Sequence, residues 1–222
     1  MLLELLKSKA IEKKLLQPED EIDLEKAFLL VRDMPYIRAS SRDPVTIINE
    51  WRGTCSGKHY LLKGLFAELG YSAHVIACTT ITHVDEKKVF GRLRKLLRQS
   101  EGRLVDVHNY LILELPNGRM IVDATWPISN KGMGVVVNER FVLGEDQKTA
   151  VEPLKSWVVP DDRDPQEFKN EILQDSFTPE ELAHRDEFLM TLSRITSNKF
   201  VKFLVWLKER MQGGKTQREH NN

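Results

Sequence analysis

Residues 51–70 constrain the fold most, because they combine a helical pattern with a cysteine near one end and a glycine at the other. The apolar residues fall on one face of a helix; they are Tyr60, Leu61, Leu65, Phe66 and Leu69. Gly70 is typical of the residue that ends a helix in the left-handed conformation. The pattern predicts an amphipathic helix that begins near Cys55 and stops before Gly70.

Cys55 is predicted at the N-cap or the first position of this helix. There its sulfur would face backbone N–H groups without helical partners and the positive end of the helix dipole. Both favour the thiolate, which is the nucleophilic form of cysteine. The alternative is that Cys55 is a small buried apolar residue, as most free cysteines are.

The next segments are typical of strands. Residues 71–80 are rich in β-branched and apolar side chains and contain Cys78, which we expect in the core. Residues 105–115 and 120–126 alternate around Asn117-Gly118, a strong hairpin signal. Residues 135–143 are expected to form a further strand.

The expected hairpin register separates His108 from Asp123. With Asn117-Gly118 as the turn, residues 116 and 119 pair, so Asp123 would lie opposite Ile112. Position 108 would then face position 127, about four residues along the ladder from Asp123. A hydrogen bond between these two side chains would need a β-bulge, a longer loop or an intervening strand.

Helical patterns flank this region at residues 1–17 and 23–33, and again after Thr178-Pro179, where the pattern continues to Met211. Residues 213–222 are expected to be a flexible polar tail. Residues 87–103 predict a helix with a basic face. We interpret that face as solvated; the alternative is a lid or rim that attracts an acidic substrate.

Composition limits the class of protein. The chain has 222 residues, enough for one sizeable domain, and 33 basic side chains balance 33 acidic ones. Overall charge therefore gives no reason to expect a nucleic-acid partner or an anionic membrane. Two cysteines do not suggest a disulfide framework, and neither a signal peptide nor a membrane span is indicated. We expect a cytoplasmic protein without a metal or a cofactor, whose oligomeric state stays open.

Three residue types that cysteine catalysis combines occur in order along the chain: a thiol at a helix start, His108 on a strand and Asp123 on the next. The imidazole would hold the thiolate as an ion pair and later protonate the leaving group. The carboxylate would fix the imidazole tautomer and stabilise its charged form. Spacing alone gives this set little specificity.

Two longer segments, GTCSGKHYLLKGLFAELGYSAHVI and DVHNYLILELPNGRMIVDATWP, together resemble the core of the transglutaminase-like superfamily of papain-like cysteine enzymes. The shared pattern is Gly-x-Cys opening a helix that ends in Leu-Gly, a strand, a strand with a histidine, and Val-Asp-x-Thr. It covers about residues 45–127. This chain departs from it at Asn109-Tyr110, since an aromatic often follows the histidine sooner, and at Lys58 and His59, where small or aromatic residues are common.

The resemblance implies an α+β fold in which the nucleophile helix packs on an antiparallel sheet, with Cys55 as nucleophile, His108 as base and acid, and Asp123 as its orienting partner. It implies a single transglutaminase-like domain over residues 1–212, with a core at about 45–145 and helical flanks at 1–44 and 165–212. The implied activity is that of a cysteine-dependent hydrolase or acyl transferase on an amide, ester or thioester, with a peptide-like or small acyl substrate.

Several points stay open. The Cys55 N–H is the natural first oxyanion donor, and the second could be the Trp51 indole, the Asn49 amide or the Tyr110 hydroxyl, although Trp51 could equally be core. His59 is interpreted as a surface or packing residue and not as a second base. No carboxylate cluster resembles the calcium sites of animal transglutaminases, so calcium-dependent cross-linking is not expected. The alternatives to an enzyme are an inactive binding or scaffold module and, more weakly, an anion-binding helix at residues 87–103.

Overall fold

The computed structural model describes residues 1–86, 91–132 and 134–197 and has an α+β fold. The described residues form seven α-helices and one open, antiparallel sheet of four strands in the order β3-β2-β1-β4. The helices are α1 (Leu2–Glu12), α2 (Leu24–Asp33), α3 (Pro44–Glu50), α4 (Cys55–Glu68), α5 (Gly91–Gln99), α6 (Pro165–Ser176) and α7 (Pro179–Ser197). The strands are β1 (Ala73–His83), β2 (Arg103–Leu115), β3 (Gly118–Val122) and β4 (Lys155–Val158).

Helix α4 lies at the centre of the fold, packed against β1 and β2 on one side and α1, α2 and α3 on the other. Its apolar side chains are fully buried, which stabilises the packing by about 1.5–3 kcal/mol for each large side chain; they are Leu61, Leu62, Leu65 and Phe66. Gly70 ends the helix with a φ of 86°, and the Tyr71 N–H donates to the Phe66 carbonyl at 2.8 Å. This is the predicted glycine-terminated helix end.

The sheet leaves part of β2 beyond the end of β3. Strand β1 pairs over its full length with residues 103–113 of β2, whereas β3 pairs only with residues 111–115 of β2. His108 therefore lies in the part of β2 that extends past β3, and the chain leaves the ladder after Val122. This arrangement puts the residues that follow Val122 beside the uncovered part of β2.

The expected hairpin register is wrong by two residues. Leu115 pairs with Gly118, so Pro116 and Asn117 form the turn, and Gly118 begins β3 with a φ of 143°. Leu111 lies opposite Val122, so the next pair of positions would be Tyr110 and Asp123. Asp123 is thus closer to His108 along the sheet than the sequence indicated.

The strand expected at residues 135–143 is also wrong, because side chains satisfy its backbone groups instead of a neighbouring strand. The guanidinium of Arg32 donates to the carbonyls of Asn138 and Glu139 at 3.1 and 2.7 Å. The Asn138 amide donates to the carbonyls of Asp123 and Lys148. The fourth strand is β4, which pairs with β1.

The flanking helices follow their sequence patterns within the described residues. Helix α1 ends at Glu12 instead of residue 17. Helix α5 occupies residues 91–99 of the basic segment and buries its leucines, while Arg92 and Arg98 pair with Glu187 and Glu86. The predicted continuation of α7 to Met211 and the tail at 213–222 fall outside the described residues. Within residues 1–86, 91–132 and 134–197, no helix has the length and apolar character needed to cross a bilayer.

Candidate active site

The junction between α3 and α4 sets the position of Cys55. Trp51 ends α3 in the left-handed conformation, with a φ of 52°, which is uncommon for a bulky side chain. Thr54 is extended and Cys55 is the first residue of α4. The Gly53 N–H donates to the Pro35 carbonyl at 3.2 Å and so ties this junction to the loop after α2. The thiol therefore stands at the N-terminal end of the central helix, as the sequence predicts.

The glycines on either side of Cys55 allow close packing. A Cβ atom on Gly53 would lie 3.2 Å from Cγ of Lys58, and one on Gly57 would lie 2.6 Å from Cδ1 of Ile47. Gly53 thus leaves room for the stem of a buried lysine, and Gly57 lets α3 approach α4. The Gly-Thr-Cys-Ser-Gly motif has a packing role in addition to any chemical one.

Cys55, His108 and Asp123 form one line of interacting side chains. Nε2 of His108 lies 2.9 Å from Oδ2 of Asp123, and the imidazole lies near enough to the Cys55 thiol to lower the pKa of the thiol. All three residues are at least 95% buried. The structure brings together the three residues that the sequence proposed, although the predicted register separated two of them.

The charges in this line favour a thiolate and an imidazolium. Burial raises the pKa of Cys55, but the His108 charge, the hydrogen bond from His108 and the Lys169 charge outweigh it and lower the pKa to about 6. Burial lowers the pKa of His108, but Asp123 and Cys55 raise it to about 10. At neutral pH the pair therefore carries both charges, which is the reactive state of a cysteine nucleophile.

Asp123 is held ionised and in one orientation. Its Oδ2 also accepts from the Ala150 N–H at 2.7 Å, and its Oδ1 accepts from the Thr125 N–H at 3.0 Å. Burial raises the pKa of Asp123, but the charge and hydrogen bond of His108 outweigh it and hold the pKa well below its usual range. The Asp123 N–H donates to Oε1 of Gln147 at 2.8 Å. The carboxylate can thus fix the imidazole without accepting its proton.

His59 is buried and bonded on both sides, which agrees with the sequence interpretation as a packing residue and not with that as a surface residue. Its Nδ1 lies 2.7 Å from the Cys55 carbonyl oxygen, and its Nε2 accepts from the Ala124 N–H at 2.9 Å. Because a backbone N–H can only donate, Nε2 is unprotonated and Nδ1 carries the proton. Burial lowers the pKa of His59 to about 4 against the pull of Asp123, so the ring is neutral at pH 7.

Lys58 is fully buried next to His59. Its Nζ donates to the Arg32 carbonyl at 2.8 Å and to the Thr125 carbonyl at 3.0 Å. Burial lowers the pKa of Lys58 to about 7, opposed by the charges of Asp33 and Asp123. A lysine is rarely buried unless it is paired, and its sequence neighbours gave no signal of this.

The three proposed second oxyanion donors make other contacts. The Trp51 ring packs in the core with Nζ of Lys13 5.5 Å from its centroid, and Asn49 is exposed on α3. The Ser156 side chain lies near the Tyr110 hydroxyl and opposes the rise that burial causes in its pKa.

Tyr36 is a site residue that sequence reasoning missed. Burial raises the pKa of its hydroxyl well above the usual range, and both the side chain and the main chain of Cys55 lie near enough to act on that pKa. Its ring stacks on Trp126, with the ring centroids 4.3 Å apart. The sequence indicated only that Met34-Pro35-Tyr36 ends α2, and no local pattern links this residue to Cys55.

Comparisons of this chain with protein-family models, with curated proteins and with solved structures found no match. Within the described parts of the chain, no group of three or more His, Cys, Asp or Glu side chains is arranged to hold a metal ion. The function is therefore inferred from the geometry around Cys55 and from the sequence motifs.

Proposed function

We propose that this chain is a transglutaminase-like cysteine enzyme, a hydrolase or acyl transferase that acts on an amide, ester or thioester. The observation that carries the proposal is the line Cys55–His108–Asp123, in which His108 hydrogen-bonds Asp123 and lies near the thiol at the first residue of α4. The proposal includes a papain-like core, in which α4 is the nucleophile helix and β2 is the histidine strand.

In the first half of the reaction, the Cys55 thiolate attacks the acyl carbon and a carbon–sulfur bond forms. The π electrons of the carbonyl move to its oxygen. When they return, the bond to the leaving group breaks and the leaving group takes the proton from the His108 ring. In the second half, water or another acceptor attacks the acyl carbon and gives its proton to His108, and the thiolate leaves. Asp123 stays ionised throughout.

The developing negative oxygen needs hydrogen-bond donors beside the sulfur. The Cys55 N–H is one, and the Tyr36 hydroxyl lies near it. We place the substrate oxygen next to this N–H, where it would displace the contact between Cys55 and Tyr36. The Tyr36 O–H would then serve as the second donor, while the stacked Trp126 ring restricts the motion of the phenol.

The test uses p-nitrophenyl esters and aryl thioesters of small acyl groups and of short peptides. Intact-mass spectrometry after rapid acid quench should find an acyl adduct on the wild type and on Cys78→Ala, and none on Cys55→Ala. The Cys78→Ala variant is the matched control because Cys78 is also buried and unpaired. A folded wild type that accumulates no adduct and releases no product with any donor would contradict the proposal and favour the inactive binding or scaffold module.

A further inference from the structure

We infer that Lys58 and His59 are positioning residues, which together join the nucleophile helix to the segment that carries Asp123. The inference rests on the proposed function, because it concerns how the thiol and the carboxylate meet the same imidazole. Neither residue would touch the substrate: Lys58 and His59 are both fully buried.

The two consecutive side chains bond two consecutive residues of the other segment. His59 accepts from the Ala124 N–H, and Lys58 donates to the Thr125 carbonyl. Ala124 and Thr125 directly follow Asp123. The last residue of β3 that pairs with β2 is Val122. The segment after β3 therefore has side-chain bonds to α4 at the point where its strand bonds end.

Lys58 and His59 each make a second hydrogen bond, to the elements that position the Cys55 thiol. Nδ1 of His59 donates to the carbonyl of Cys55 itself. Nζ of Lys58 donates to the carbonyl of Arg32, near the end of α2 and shortly before Tyr36. Through these four main-chain groups, the end of α2, the start of α4 and residues 123–125 are held in one arrangement around His108.

The chemistry of His59 excludes a role as a second base. Both of its nitrogens are occupied by main-chain groups, and the donor at Ala124 fixes its tautomer. The charged groups that act on it are Asp123, at 3.7 Å from Nε2, together with His108 and Lys58. A neutral ring in this place can hold two segments together without competing with His108 for the proton of the thiol.

Three substitutions of His59 separate its two bonds. His59→Gln places an amide near the Nε2 position and can still accept from the Ala124 N–H. His59→Asn reaches only the Nδ1 position and can still donate to the Cys55 carbonyl. His59→Phe keeps the ring and makes neither bond. If His59→Phe fails to fold, the two amide variants still provide the comparison.

The readout is the pH dependence of iodoacetamide alkylation at Cys55 in a Cys78→Ala background, which reports thiolate formation without any substrate. We expect a wild-type midpoint near 6. His59→Asn and His59→Phe should move the midpoint upward by about one pH unit, because the imidazolium is no longer held against the sulfur. His59→Gln should stay close to the wild type, because it keeps the bond between the two segments.

Lys58→Met gives an independent test, because methionine preserves much of the length of the side chain and donates to neither carbonyl. It should raise the midpoint as His59→Asn does. The matched control is Lys63→Met, since Lys63 lies on the same helix and its partner is the exposed Asp161. This control should leave the midpoint unchanged.

The outcomes separate the inference from the proposed function. If the variants lose stability but keep the wild-type midpoint, Lys58 and His59 only stabilise the fold and the inference is wrong. The inference is also wrong if His59→Gln and His59→Asn have the same alkylation midpoint. If the midpoint responds as expected but no acyl donor forms an adduct, the positioning role stands and the proposed function does not. A wild-type midpoint near 9 overturns both.

Discussion

The imidazole of His108 and the carboxylate of Asp123 meet at 2.9 Å although His108 lies within β2 and Asp123 lies past the end of β3. The contact is possible because β3 covers only the far part of β2. The carboxylate is then held by the Ala150 and Thr125 N–H groups and not by a strand ladder. The geometry of the site thus depends on where β3 stops.

Asp123→Asn should lower turnover by about 10²–10⁴-fold, because the histidine loses the charge that stabilises its imidazolium. The pKa of His108, now raised to about 10, should fall for the same reason. The activity profile of the variant should therefore lose its alkaline side at a lower pH than that of the wild type. The measurement is kcat/KM with an aryl ester from pH 5 to 11.

Asp146→Asn is the matched control for that substitution. Asp146 is exposed and accepts a backbone N–H from Ile121 at 2.7 Å, outside the line Cys55–His108–Asp123. Asp146→Asn should leave the acidic and the alkaline limbs of the pH–activity profile unchanged. An Asp123→Asn profile that overlays the wild type would show that the carboxylate does not set the charge of His108.

Tyr36→Phe should lower kcat by about 10²-fold, the usual loss when one oxyanion donor is removed. Its effect on the alkylation midpoint of Cys55 should be small, since burial and the opposing charges of His108 and Lys169 set that pKa. The stacking on Trp126 is retained by phenylalanine, so the loop after α2 should keep its place. Equal kcat values for the wild type and the variant would remove Tyr36 from the oxyanion site.

Local patterns predicted helix α4 well. The apolar periodicity and the glycine after Leu69 both act over a few residues, so they can be read without the rest of the chain. The hairpin was recognised for the same reason. Its register was not, because the Asn-Gly signal favoured one turn while Pro116-Asn117 formed it.

The approach of Cys55, His108 and Asp123 depends on contacts between distant parts of the chain. Only the resemblance of the motifs suggested it, because spacing along two strands indicated a gap. The contacts of Lys58 and His59 were missed because their partners include main-chain groups in another segment of the chain. Nearly every residue carries a backbone N–H and a carbonyl, so the pattern of residue types does not show which of these groups a side chain will bond.

Gly57→Ala should destabilise the protein by about 1–3 kcal/mol, because its Cβ would lie 2.6 Å from the buried Cδ1 of Ile47. This cost is partly offset by the better helix propensity of alanine, about 1 kcal/mol. Ile47→Val removes the clashing methyl, so the double variant should be more stable than the sum of the single changes indicates. Urea unfolding of the four proteins measures the coupling, and strictly additive values would contradict the contact.

Lys58 should make stability depend on pH in a way that Lys58→Met removes. Its folded-state pKa is about 7, whereas an unfolded lysine titrates near 10.4, so between these values the unfolded chain binds the extra proton. Stability therefore rises with pH across this window, by up to about 1.4 kcal/mol per pH unit.

The measurement is the unfolding free energy of the wild type minus that of Lys58→Met, from pH 6 to pH 10. The difference is needed because His108 acts in the opposite direction: its raised folded-state pKa makes stability fall as the pH rises from about 6.5 to about 10. Both proteins carry His108, so its effect largely cancels, and the difference should grow in favour of the wild type above pH 7. If this difference did not change with pH, the Lys58 amine would keep its proton inside the fold, and its two carbonyl partners would offset the cost of burying the charge.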